Sequence, residues 1–323
     1  NLELFLENAH HSFMEVNPVL IKEYKKSTTL RRTKTDSVDC ESIARWLITV
    51  EYKPHSKGFY HAYSLKSLTR LRDRLIRQRS FYLVKITNVL DHTFPEFKPF
   101  FNERLSKTAL YLLENYGSAE KMARMNSASY DKLRCISRGK FSIQQFLRLK
   151  ELAANTVGVN NSIFDLELNT LLTLYKSLSD EINTLETEII KLIEEVHPHY
   201  MSIPGIGPIS AAVIYAEYGD ISNFSNPGQM LAFAGIEPGI NDSGTESHGG
   251  RMVKHGSSQL RYVLLNACLP LIRFDLTFAT YYEKKRAEGK KHRVAITHVA
   301  KKLIRVIYAL ERQDVDFNAQ KLR

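Results

Sequence analysis

The chain has 323 residues, a hydrophobic fraction of 43% and 45 Lys and Arg against 35 Asp and Glu, for a net charge of +10. That length and composition suit a folded protein of more than one domain and exclude a disordered or fibrous class. No run approaches the ~18 consecutive apolar residues of a membrane helix, and residues 1–6 lack a basic stretch followed by an apolar one. The widely spaced Cys40, Cys135 and Cys268 fit neither a disulfide framework nor a CxxC metal site, so a reducing cytoplasm is expected and no membrane partner.

In chain order, Leu2–Ala9 reads as the end of an amphipathic helix and Ser12–Val16 as a short strand closed by Asn17-Pro18. With Asn rather than Met at position 1, the expectation is an N-terminally incomplete sequence. Thr35-Asp36 opens a helix running to about Val50, its acidic first turn matching the helix dipole. Ser64 to about Leu90 is an Arg-rich helix with Leu68, Leu71, Leu75, Tyr82, Ile86 and Val89 on one face. Pro95 and Pro99 break the pattern, and Asn102–Leu152 reads as several short helices. From Phe164 through Leu168, Leu171, Tyr175, Leu178, Ile182, Leu185, Ile189 and Leu192 to Val196, apolar residues alternate spacings of four and three. That is a coiled-coil seam roughly 50 Å long: a dimerisation stalk, an arm between working domains, or a helix packed on its neighbour within one chain. His197-Pro198 ends it, and a further domain starts near Tyr200.

The charge is unevenly spread. Phe164–Val196 holds eight acids and two lysines, whereas Lys66–Lys85 holds seven basic residues opposed only by Asp73, and Lys284–Arg305 nine opposed only by Glu288. Each run alone reads equally as a solvated helix face, but together they point to nucleic acid, whose condensed counterions such a surface releases.

Three segments are candidates for chemistry. Ser202-Ile203-Pro204-Gly205-Ile206-Gly207-Pro208 before an apolar helix resembles a helix-hairpin-helix turn, in which Gly205 and Gly207 let backbone N–H groups approach a phosphate; the alternative is a tight connection. Gly235–Gly256 reads as a polar, mobile loop in which Asp242-Ser243-Gly244 presents a hydroxyl near Arg251 and Lys254, or else a hydrogen-bonding turn serine. Asp36 and Asp39, at i and i+3, share a helix face where two carboxylates could hold a divalent cation or simply complement the dipole. GxSxG, GxxxxGK and HExxH are absent, which leaves the common hydrolase and nucleotide readings without support.

Taken together, Lys34-Thr35-Asp36-Ser37-Val38-Asp39, then Ile203-Pro204-Gly205-Ile206-Gly207, then Gln229 with Phe233-Ala234-Gly235-Ile236-Glu237-Pro238, then Ser243-Gly244, Gly250-Arg251-Met252-Val253-Lys254-His255-Gly256 and Leu260-Arg261 resemble the transposases of the insertion-sequence-110 family in order and spacing. The resemblance implies a mainly α chain with a truncated α/β, RNase H-type, RuvC-like piece over 1–62, a helical basic region over 63–160, a coiled-coil arm over 161–198 and a helical transposase domain over 199–323. It implies that Asp36 and Asp39 are the last two acids of a DEDD set holding Mg²⁺, and that Ser243 is the nucleophile that links covalently to DNA. Arg251, Lys254, Arg261 and the glycine turn would meet phosphates. DNA, a structured guide RNA and further copies of the chain are the implied partners. The first Asp and the Glu of DEDD would lie before Asn1, so the 323-residue chain is expected not to catalyse recombination alone. A non-catalytic nucleic-acid-binding remnant and a metal-dependent nuclease are the alternatives.

Overall fold

A computed structural model describes residues 2, 5–6, 9–14, 16, 18–28, 35–52, 59–102, 105–243 and 246–322. The chain divides into two units, Asn1–His61 and Ala62–Arg323.

In the first unit, α1 (Pro18–Thr28) packs on α2 (Asp36–Thr49), and the two are tied by Lys25 Nζ, 2.6 Å from Asp39 Oδ1. Thr35 caps α2, its hydroxyl accepting from the Val38 N–H. The strand expected over Ser12–Val16 is not formed at described residues 11–14 and 16, and among the described residues of this unit no strand occurs. The α/β piece expected over 1–62 is thus not confirmed: the described residues of this unit are helical or irregular. Among the described residues of this unit no hydrophobic side chain is buried, so they supply no core face for a sheet.

The second unit is built on two long helices of 35 residues, each roughly 50 Å long: α3 (Phe59–Thr93), which belongs to this unit from Ala62 onward, and α9 (Ser162–Val196). They run antiparallel. His92 stacks on Phe164 with centroids 5.8 Å apart, Arg72 pairs with Glu186, and Leu65 shares a core with Ile189 and Ile193, so positions rising along α3 meet positions falling along α9. The apolar seam of α9 thus finds a partner inside its own chain: Leu168, Ile182 and Ile189 are buried, and Phe164, Leu171, Tyr175, Leu178, Leu185 and Leu192 partly so. The helix ends as its sequence predicts, with His197 left-handed (φ 46°) ahead of Pro198.

One core gathers at each end of this pair. At the far end, Ile86, Val89, Leu90, Leu168 and Leu172 join α4 (Phe97–Phe100), α5 (Lys107–Tyr116), α6 (Ala119–Ala123), α7 (Ser127–Ile136) and α8 (Ile143–Ala154). These are the short helices expected between Asn102 and Leu152, and their starts are written locally. Ser106, Ser118, Asn126 and Ser142 cap α5 to α8, the last two through capping boxes with Ser129 and Gln145.

At the near end, Ile189 and Ile193 join α10 (Pro208–Tyr218), α11 (Pro227–Ala234), α12 (Ser258–Phe274), α13 (Leu276–Ala287) and α14 (His292–Gln313). Between α11 and α12 the expected mobile loop is instead an antiparallel hairpin, β1 (Pro238–Ser243) with β2 (Glu246–Met252). Its register pairs Ser243 with Glu246, Asp242 with Ser247 and Ile240 with Gly249, with an irregularity between Pro238 and Ile240. No single helix among the described residues is long and apolar enough to cross a membrane.

Candidate functional site

Ser243 ends β1 at the hairpin tip; its backbone is paired, while its side chain, that of Arg251, and all of Gly244-Thr245 lie outside the described residues. What places this serine is therefore the root of the hairpin, which is described in full. There Phe233-Ala234-Gly235, closing α11, meets Val253 to Arg261. Val253 N–H donates to Glu237 O (2.8 Å), Ser257 N–H to Phe233 O (3.1 Å) and Arg261 Nη1 to Ala234 O (3.2 Å). Gly235 is the left-handed C-cap of α11 (φ 65°). A Cβ on Gly256 would stand 2.0 Å from Phe233 O and 2.5 Å from Gly235 N, so only hydrogen fits between the two strands of backbone.

This gives several motif residues a defined task. Gly235, Gly256 and Arg261 are brought together, and Arg261, expected at a phosphate, spends one guanidinium N–H on a helix-terminal carbonyl. Lys254 beside them is exposed. Sequence reasoning missed the hairpin because its strands, Pro-Gly-Ile-Asn-Asp-Ser and Glu-Ser-His-Gly-Gly-Arg-Met, lack the β-branched and aromatic alternation that marks a strand. The available signal was Ser-Gly-Thr-Glu, a two-residue connection with Gly first.

The glycine turn splits into two cases. Gly205 has φ 97°, and a Cβ there would lie 2.8 Å from Pro270 Cγ and 3.1 Å from Ala267 O. Its lack of a side chain is required for packing on α12, a role additional to the one expected for its backbone N–H at a phosphate. Gly207 caps α10 with no side-chain hydrogen bond, Pro208 follows at N1, and the space at its Cα is open.

The basic runs are partly consumed inside the fold. Glu217, 1% exposed and lying in the otherwise apolar α10, receives Arg70 through Nε (3.0 Å) and Nη2 (3.2 Å), with Lys66 Nζ at 3.7 Å. Arg72 donates to Glu186 and Arg77 pairs with Asp73 at 2.8 Å. On α13 and α14, Lys285 pairs with Glu288, and Lys302 lies 5.1 and 5.2 Å from the Phe278 and Tyr281 ring centroids, its pKa pushed down by burial. Lys301 is likewise pushed down by burial, while the charge of Glu237, at the hairpin root, acts to raise it.

Asp36 and Asp39 stand in the first turn of α2, Asp36 exposed and Asp39 half-buried against Lys25. Among the described residues no three His, Cys, Asp or Glu side chains gather as a metal site. Two carboxylates, one already neutralised by an ammonium, fall short of a Mg²⁺ ligand set. Lys34, quoted with this motif, lies outside the described residues.

The family model described as "Transposase IS116/IS110/IS902 family" matches residues 198–283, and a DEDD-type IS110 model described as "Transposase" matches residues 1–95. The 43.6 kDa protein of insertion element IS110 from Streptomyces coelicolor is 27% identical over 73% of this chain and 60% of its own length. The 42 kDa protein of insertion element IS900 from Mycobacterium paratuberculosis is 28% identical over 86% of the chain and 71% of its own. The transposase for insertion sequence element IS1111A of Coxiella burnetii is 25% identical over 80% and 59%. The chain belongs to the IS110/IS116/IS902 transposase family. It spans about three fifths of the length of the Streptomyces relative.

Proposed function

We propose that this chain is the DNA-recombining part of an insertion-sequence transposase and that Ser243 is its nucleophile. The observation that carries the reading is the placement of Ser243 at the end of β1, on a hairpin whose root is built from Gly235, Gly256 and Arg261. A serine whose backbone ends a short, paired ribbon held at its base is a residue that the fold can position for strand cleavage. In the step, Ser243 Oγ forms a bond to the scissile phosphorus while the P–O bond to the leaving strand breaks, and the serine proton ends on the leaving deoxyribose oxygen. Attack by a hydroxyl of another strand reverses it, so the phosphodiester energy is conserved and no nucleotide triphosphate is consumed. Arg251 and Lys254, close in sequence on β2 and just after it, are the cations for the phosphate, and Gly207 at the α10 start offers backbone N–H groups to a second one.

A divalent cation enters through the matched DEDD-type domain, with Asp36 and Asp39 as the carboxylates it would use; among the described residues they belong to no group of three or more His, Cys, Asp or Glu. A structured guide RNA and assembly with further copies complete the reading by family, and the basic faces of α3 and α14 are where polyanions would lie. The experiment is incubation of this sequence, joined to a complete DEDD acidic set, with element-end DNA, the co-purifying RNA and Mg²⁺, followed by denaturing electrophoresis. A protein–DNA adduct that vanishes with Ser243→Ala supports the nucleophile. An adduct that survives Ser243→Ala, or DNA cutting that needs Asp36 but not Ser243, refutes it in favour of a metal-dependent nuclease.

A further inference from the structure

The solvent face of α3 carries an arrangement that the fold uses only at Arg70, which is committed to Glu217. Tyr63, Arg70, Arg74, Arg77, Phe81 and Lys85 recur at spacings of seven, four, three, four and four, which places them along one stripe of the helix. The two rings are open to solvent, Tyr63 at 62% and Phe81 at 57% exposure. The core-facing side of the same helix is supplied by Leu65, Ile86, Val89 and Leu90, so folding does not call for apolar rings on the opposite side. Between the rings lie three guanidiniums. Those of Arg70 and Arg77 remain 53% and 74% exposed despite pairing with Glu217 and Asp73, and Arg74 has no ionic partner among the described residues. Beyond Phe81, the Lys85 ammonium stands 5.5 Å from its ring centroid.

Two aromatic platforms with cations between them fit one polyanion better than another. A duplex keeps its bases stacked inside and offers phosphates only, leaving exposed rings without use. An unpaired strand presents phosphates and free base faces together, the combination that single-strand grooves recognise. Tyr63 and Phe81 are eighteen positions apart, roughly 27 Å along the helix, the length of at most ~8 nucleotides at the ~3.4 Å stacked spacing of a strand. Strand exchange necessarily releases unpaired DNA, and the choice of DNA here rests on the function proposed above.

We propose that this face of α3 holds an unpaired DNA strand, with Arg74, Arg77 and Lys85 on its phosphates and Phe81 and Tyr63 stacked on its bases. The test is fluorescence anisotropy on the full chain with labelled oligodeoxythymidylate, an equal-length DNA duplex and oligouridylate, across a range of salt. Phe81→Ala should weaken oligodeoxythymidylate binding about tenfold, within the range of one lost stacking platform, and leave duplex binding within about twofold. Replacing Arg74 and Arg77 together by Ala should lower the single-strand salt slope by about 1.4, two phosphates at about 0.7 each. Because Phe81 is exposed, an unchanged circular dichroism spectrum verifies that the variant folds. Undiminished oligodeoxythymidylate binding in Phe81→Ala overturns the proposal, as does a loss confined to oligouridylate, which would give the face to RNA. Binding is read without strand transfer, so failure of the serine mechanism and failure of this surface give different results.

Discussion

Gly256→Ala is the most direct perturbation of the hairpin root. The added methyl would stand 2.0 Å from Phe233 O, 2.5 Å from Gly235 N and 2.7 Å from Ala234 C, all of them backbone, so no side chain can swing away to admit it. The segments must part by more than an ångström, which breaks or stretches Val253 N–H to Glu237 O, Ser257 N–H to Phe233 O and Arg261 Nη1 to Ala234 O. At a net ~0.5–1.5 kcal/mol for each hydrogen bond, the root loses about 2–4 kcal/mol. Local opening reports this directly. Native-state hydrogen exchange at the Val253 and Ser257 amides should accelerate roughly 30- to 700-fold, since each 1.4 kcal/mol is a factor of ten. Ser243 adduct formation should fall with it. Gly207→Ala is the matched control: its Cβ meets nothing within 4 Å and its φ is −80°, so stability should stay within about 1 kcal/mol of wild type. Exchange at Val253 and Ser257 that stays within about twofold in Gly256→Ala would refute the clamp.

Two further outcomes test the rest of the fold. Arg70→Ala leaves the Glu217 carboxylate at 1% exposure with only Lys66, 3.7 Å away, and should cost about 2–4 kcal/mol in chemical denaturation, against about 1 kcal/mol for Glu217→Gln, which removes the charge itself; a double-mutant coupling near zero would show that the pair does not fasten α3 to α10. His199 lies between Asp316 and Asp314, with ring nitrogens 2.9 Å from a carboxylate oxygen of each, and these hydrogen bonds raise its pKa above 6.5. A folded-state pKa above the unfolded one contributes stability that is complete below about 6.5 and is lost as pH rises through the folded value. The difference in Tm between wild type and His199→Gln should therefore be largest in mild acid and shrink above neutrality, and a difference that does not change with pH would count against the tether.

Much of this architecture is legible from local signals. The seam from Phe164 to Val196 specifies a long helix, His197-Pro198 its end, and Ser106, Ser118, Asn126 and Ser142 the starts of helices in a region otherwise without motifs. The motifs that mark the family were likewise readable as residues in order. The strand at Ser12–Val16 was not borne out, because a short apolar alternation forms a strand only where a sheet and a core receive it, and residues described in the first unit bury no hydrophobic side chain.

What tertiary structure alone decided concerns groups far apart in the chain. Periodicity and capping act over a few residues and are written in the sequence, whereas Arg70 finds Glu217 across 147 positions and Gly205 meets Pro270 through the packing of two helices. Sequence counts the cations of Lys66–Lys85 but not which of them are spent on buried or neighbouring carboxylates; that division separates the arginines that fasten the fold from Arg74 and Lys85, which face solvent. In the same way Gly235-x-x and Gly256 are only glycines until their backbones touch. The hairpin that carries Ser243 joins two segments of low strand propensity whose only local signal is the Ser-Gly-Thr-Glu connection, and its root is held at hydrogen-bonding distance by the helices on either side.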